Sequence, residues 1–119
     1  MTVQEAIQYC LSKKGAEETY PFDETTLVFK VGGKMFGLVY DHDGGLGLNL
    51  KADPELNLVL RQQYKGVFPG YHMNKKHWNS VLFESDVPDD EIQKFVDISY
   101  EIVFKSLTKK LQKEILASE

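Results

Sequence analysis

The chain has 119 residues, 42% of them hydrophobic and 27% charged, with a formal net charge of −4, the composition expected of one soluble globular domain with a single core. No apolar run approaches the roughly 20 residues that span a bilayer, and the first residues lack the basic and apolar regions of a cleaved leader. A lone Cys10 rules out an internal disulfide, so a reducing cytoplasm is the expected location. The charge is uneven. Between positions 29 and 80, seven lysines and arginines against four acids give a net +3, leaving −7 for the rest. A basic middle permits a phosphate-facing patch or an ordinary mixed surface.

Thr2 and Glu5 form a capping-box signature before a helix whose apolar face is Val3, Ala6, Ile7, Cys10 and Leu11, with Gly15 as the stop. Cys10 on that face is expected to be a small buried hydrophobe rather than a nucleophile. Two strand-like runs, 27–31 and 34–40, flank Gly32-Gly33, a strong two-residue hairpin signal because both central residues need positive φ. Pairing Val31 with Lys34 predicts Phe29 opposite Phe36 and Leu27 opposite Leu38, four residues of one core patch. Val28, Lys30, Met35, Gly37 and Val39 then fall on the other face. After the turn 41–45, Leu46, Leu48 and Leu50 alternate with Gly47, Asn49 and Lys51 in a third strand. This second sheet face is predicted to be flat, small-residued and mildly basic, either solvated or covered by a partner.

Asp53-Pro54-Glu55 opens a second helix with the stripe Leu56, Val59, Leu60 and Tyr64. Two strands of uncertain register follow between Val67 and Glu84. The segment 87–91 begins a long last helix with the stripe Ile92, Phe95, Val96, Ser99, Ile102, Val103 and Leu107, lysines gathering at its end. Residues 109–119 read as a frayed tail. The order α-β-β-β-α-β-β-α, with helices on one face of an antiparallel sheet, is a two-layer α+β domain.

The common catalytic patterns fail on counting. Gly33-Lys34 lacks both the leading glycine and the Ser/Thr of a phosphate loop. A calcium loop starting at Asp41 would need an acid where Ala52 stands. His72 and His77, five apart without a cysteine partner, make no metal site. An acid–base pair of His72 with an acid such as Asp41 finds no support in spacing. No catalytic residue, metal or cofactor is predicted.

The richest stretch is 69–81, P-G-Y-H-M-N-K-K-H-W-N-S-V. Together with Tyr20-Pro21-Phe22-Asp23, the 30–36 hairpin, Leu48-Asn49-Leu50-Lys51 and Ser99-Tyr100, it makes the chain resemble the MmcQ/YjbR family of small bacterial proteins over nearly its full length. That resemblance implies one α-β(3)-α-β(2)-α domain over 1–119, like that of type III secretion chaperones. It also implies a DNA-binding role, with strand hairpins acting as a pair of wings. A family member from a mitomycin cluster hints at drug sequestration instead.

Two functions compete. In DNA binding, Lys75, Lys76, His77 and Arg61 would contact phosphates, Asn74 and Asn79 would donate to backbone or base edges, and Trp78 or Tyr71 would stack on an unpaired base. Each residue also has a structural role open to it: Trp78 as core anchor, Tyr71 and His72 bonding a turn, Lys75-Lys76 as a solvated strand edge, Asn74 and Asn79 in local turn bonds. In the alternative, His72, Tyr71 and Trp78 line a site for a peptide or small planar ligand. No membrane role is expected, and a monomer is favoured.

Overall fold

The computed structural model describes residues 1–43 and 45–118; Gly44, in the turn expected at 41–45, and Glu119, at the end of the expected tail, lie outside them. The elements are α1 (Val3–Leu11), β1 (Ala16–Thr19), β2 (Val28–Val31), β3 (Lys34–His42), β4 (Gly45–Lys51), α2 (Pro54–Gln63), β5 (Val67–Pro69), β6 (Trp78–Leu82), α3 (Asp89–Ser106) and α4 (Lys109–Ala117). The strands form one antiparallel sheet in the order β1-β2-β3-β4-β6-β5. The helices pack on one face of it, an α+β architecture. The other, here called the open face, carries no helix among the described residues and is partly covered by the β1–β2 and β5–β6 connections.

Local signals act as expected at the helix starts. Thr2 Oγ1 accepts from Glu5 N while Glu5 reaches back to Thr2 N, and Asp53 caps α2 ahead of Pro54. Gly32 and Gly33 both take positive φ, +57° and +81°, and Val31 pairs with Lys34.

Beyond that pair the predicted register is wrong. A bulge between Phe29 and Lys30 sets Phe29 opposite Gly37 and Val28 opposite Leu38. Phe36 is the extra residue, and it stays in the core beside Phe29. One inserted residue reverses the side-chain alternation that follows. Val39 therefore packs against the core and Leu38 leaves it, the reverse of the expected assignment.

Three further expectations are corrected. Val59 is 55% exposed, because α2 turns Leu56, Leu60 and the buried Asn57 toward the sheet instead. Ala16–Thr19 is an added edge strand, unmarked in the sequence because Glu17 and Glu18 face solvent and supply no apolar alternation. The tail expected to fray is α4, capped by Thr108 accepting from Leu111 N and held by buried Ile115 and partly buried Leu111.

Cys10 is fully buried, and burial pushes its thiol up to about 12. Since the thiolate is the reactive form, Cys10 is expected to resist a thiol reagent at pH 8 until the protein unfolds. Its modification rate in a urea series should follow the unfolding transition; fast reaction with native protein would contradict this burial.

Candidate functional site

The open face carries an aromatic cluster where a small-residued, basic surface was expected. The bulge turns Tyr40 onto this face, and His42 follows two residues later. From the β5–β6 connection, Tyr71 stacks on His42 with ring centroids 4.0 Å apart and 21° between planes. Tyr40 meets Tyr71 edge-on at 5.7 Å and Phe68 at 5.5 Å. The His72 ring lies 4.1 Å from Tyr71.

Polar bonds fix the loop that brings Tyr71 here. Asn49, fully buried in β4, donates from Nδ2 to Tyr71 O at 3.1 Å. Ser80 Oγ on β6 donates to Asn49 Oδ1 and accepts from Tyr71 N at 3.0 Å. Both backbone groups of Tyr71 are thus tied to adjacent strands, so the ring is preorganised. His72 follows with φ +58°, a left-handed conformation that costs a non-glycine residue about 1 kcal/mol or more.

These residues border a cleft of about 560 Å³. Phe22, Thr25 and Thr26 line it from the β1–β2 connection, Leu38, Val39, Tyr40 and Asp41 from β3, Leu46 and Asn49 from β4, and Tyr71, His72 and Met73 from the β5–β6 loop. Asp23 holds the first of these segments. It accepts from the Thr26 N–H at 2.6 Å and the Thr25 N–H at 2.8 Å. The backbone bond from Thr26, then its hydroxyl and the Thr25 N–H, keep the Asp23 carboxyl below its ordinary pKa. Tyr40 is shifted up, by burial first and then by the nearby Asp43, Tyr71 and Asp41.

The residues considered for DNA contact do not form one surface. Trp78 is 8% exposed on β6, with its backbone bonded to Gly70 and Asn74. Asn79 is 2% exposed and donates to Asn57 O at 3.2 Å. Arg61 on α2 donates from Nε to Asn79 Oδ1 at 2.6 Å and from its terminal nitrogen to Trp78 O and Lys75 O. Asn74 Oδ1 accepts from Lys76 N at 2.9 Å and from His77 N at 3.3 Å, a local turn. Lys75 Nζ reaches Gly70 O at 2.8 Å, His77 is half-buried, and Lys76 is exposed.

Only Tyr71 and His72 of the predicted set reach the cleft; Asp41 borders it from β3, but at a position that shares a face with Val39 and Leu48 rather than with Tyr40. Trp78, also considered as a ligand contact, is not among its lining residues. Sequence reasoning missed Tyr40, His42, Asn49 and Phe22 as site residues. The available signals were two motifs that carry the resemblance, Tyr20-Pro21-Phe22-Asp23 for Phe22 and Leu48-Asn49-Leu50-Lys51 for Asn49; Tyr40 and His42 carried none. Among the described residues, no three His, Cys, Asp or Glu side chains gather as a metal would require, and no helix is long and apolar enough to cross a membrane.

The sequence model of a family described as YjbR matches residues 11–102. The chain is 39% identical over 101 residues to the uncharacterized protein YjbR of Escherichia coli (strain K12), covering 85% of this chain and 86% of that one. Against the uncharacterized protein YyaQ of Bacillus subtilis (strain 168), identity is 28% over 116 residues, 86% of this chain and 98% of that protein. Protein DR2400 of Deinococcus radiodurans, solved by crystallography, superposes with a TM-score of 0.87 at 38% identity, covering 98% of this chain and 89% of its own. A Pseudomonas syringae protein gives a TM-score of 0.76 at 27% identity, covering 87% and 99% respectively. With most of its length matched by the family model, and by a relative well above 30% identity, the chain belongs to the YjbR family.

Proposed function

We propose that the protein is a non-enzymatic binding module that holds a small planar compound in the open-face cleft. The observation that carries this reading is the fixed Tyr71 ring, stacked on His42 and anchored through Asn49 and Ser80. A ligand-sized cleft of about 560 Å³, lined by aromatic and apolar side chains with a few polar groups, has the make-up of a small-molecule site. Stacking on an aromatic platform contributes roughly 1–3 kcal/mol per ring.

The nucleic-acid alternative has less support. Arg61, Asn74, Asn79 and Trp78 serve internal bonds or packing, so Lys76 is the one residue of that set left as an exposed cation without a bonded partner among the described residues. One phosphate contact is far short of the several that give useful affinity.

Titration with a planar bicyclic heteroaromatic, followed by per-residue chemical shifts, is expected to move Tyr40, Asn49, Tyr71 and His72 together. Tyr71→Ala should weaken binding by about tenfold. A DNA duplex at low salt should leave the 74–77 amides in place. Shifts confined to 74–77 on adding DNA, with log affinity falling linearly in log salt, would reverse the choice.

A further inference from the structure

The β5–β6 connection that carries Tyr71 and His72 is held from the helix-packed side as well as from the sheet. Arg61, on α2, donates to Asn79 Oδ1 and to the carbonyls of Lys75 and Trp78. Asn79 stands opposite Leu50 on the core side of the sheet, and Arg61 is not among the residues lining the cleft. The Trp78 carbonyl is shared. It accepts from Arg61 at 3.3 Å and from the N–H of Gly70, next to Tyr71, at 2.9 Å. Lys75 closes a second path, its carbonyl accepting from Arg61 and its Nζ donating to Gly70 O at 2.8 Å. One guanidinium thus ties the returning arm of the loop, through two shared partners, to Gly70 at its start. One turn earlier on α2, Asn57 donates to Lys76 O at 3.2 Å, while its buried Oδ1 has no partner among the described residues. A buried acceptor left unpaired lowers stability, so this network places the loop and does not maximise stability.

We infer that Arg61 is a positioning residue for the cleft: without touching the ligand, it sets the place of the Tyr71–His72 wall and with it the affinity for a planar compound. His72 shows why a distant anchor matters. Its φ of +58° is a strained conformation that persists only where the surrounding structure over-determines it. Asn49 and Ser80 hold Tyr71 directly, and the two paths from Arg61 hold Gly70 just before it. With those paths lost, residues 70–73 regain backbone freedom, and part of the binding energy goes to ordering the wall again. The inference rests on the proposed small-molecule reading and goes beyond it by naming a residue that controls the site from outside.

Quinoline titrations followed by per-residue chemical shifts test this. Arg61→Met, which keeps the apolar stem and no donor, is expected to weaken quinoline binding by about three- to tenfold. Without quinoline, it should already shift the Gly70, Tyr71 and His72 amides and speed their hydrogen exchange. Arg61→Lys keeps the charge but lacks the planar fork that reaches several acceptors, and its effect should be intermediate. Lys76→Met removes the same formal charge from the exposed side of the loop and should leave affinity unchanged. Ile115→Ala truncates a buried side chain on α4, packed against Gly15; it should lower stability and leave affinity unchanged. Wild-type affinity in Arg61→Met would overturn the inference while the small-molecule site stands. If Arg61→Met does not fold, Arg61→Lys decides on the same criterion. An equal loss of affinity in Ile115→Ala or in Lys76→Met would also overturn it, since affinity would then follow stability or charge rather than the loop. If quinoline shifts none of Tyr40, Asn49, Tyr71 or His72 in the unaltered protein, the small-molecule reading fails and takes this inference with it.

Discussion

Phe36→Ala is expected to lower stability by about 3–5 kcal/mol, a fall of roughly 10–20 °C in melting temperature. Phe36 is fully buried, 6.2 Å from the Phe29 ring and edge-on to Tyr100 at 5.4 Å. Truncation removes its transfer energy and leaves a cavity between β3 and α3 that the bulge geometry cannot close. The carbonyl of Phe36 also accepts the Ser99 hydroxyl, which holds β3 against α3 and hinders collapse of the gap. Because typical domains have only 5–15 kcal/mol in total, the variant should be marginal or unfolded at 37 °C. Leu38→Ala is the informative companion. In a regular hairpin Leu38 would share the core with Phe36, but here it is half-buried beside the cleft, and its loss should be less than half as large. Urea unfolding of both variants measures this, and equal losses would mean that the bulge is absent.

Gly47→Ala is expected to cost at least about 3 kcal/mol, more than an ordinary overpacking change. A Cβ at this position would overlap the Val81 carbonyl oxygen and lie 2.8 Å from its carbon and 2.9 Å from Leu82 Cα. These are backbone atoms of the paired strand, so no rotamer relieves the clash. β4 and β6 must separate, while Leu48 and Val81 in the core resist it. Gly33→Ala is the contrast: a Cβ there meets nothing within 4 Å, and φ is +81°. Its cost is left-handed backbone strain alone, about 1–2 kcal/mol. Chemical denaturation ranks the two, and a smaller loss at Gly47 would contradict the close approach of the strands. Gly47→Ala should also weaken ligand binding. Asn49 and Ser80, which together anchor Tyr71, sit on the two strands it forces apart.

Legibility in the sequence follows the range of the interaction. The Thr2–Glu5 box, the Asp53-Pro54 start and the Gly32-Gly33 turn are set by atoms within a few residues, and each was readable. Most of the α3 stripe was readable too, but Ile102 is only half-buried and lies outside the core, Tyr100 and Phe104 are buried in it unforeseen, and Leu107 lies just beyond the helix, in the extended residue that ends it. Asn57 illustrates the opposite case. It is polar on a helix otherwise read by its apolar residues, yet it is buried because Ala52 O and Lys76 O accept from its amide. Neither partner is predictable from helical spacing. Arg61 is similar: a cation in a basic window suggested phosphate, whereas its guanidinium holds the β5–β6 loop.

By itself the sequence determined the family, the α+β class, the first turn of the central hairpin and the starts of the first two helices, since these depend on short-range backbone preferences and the period of apolar residues. Tertiary structure alone decided the rest. The bulge at Phe36 arises because Phe29, Phe36 and Leu50 must all enter one core, and that single inserted residue sends Leu38 and Tyr40 to the open face. The cleft then forms where four segments remote in sequence converge, joined by Asn49 and Ser80. No local pattern encodes that convergence. It exists only once the sheet has fixed which strands are neighbours.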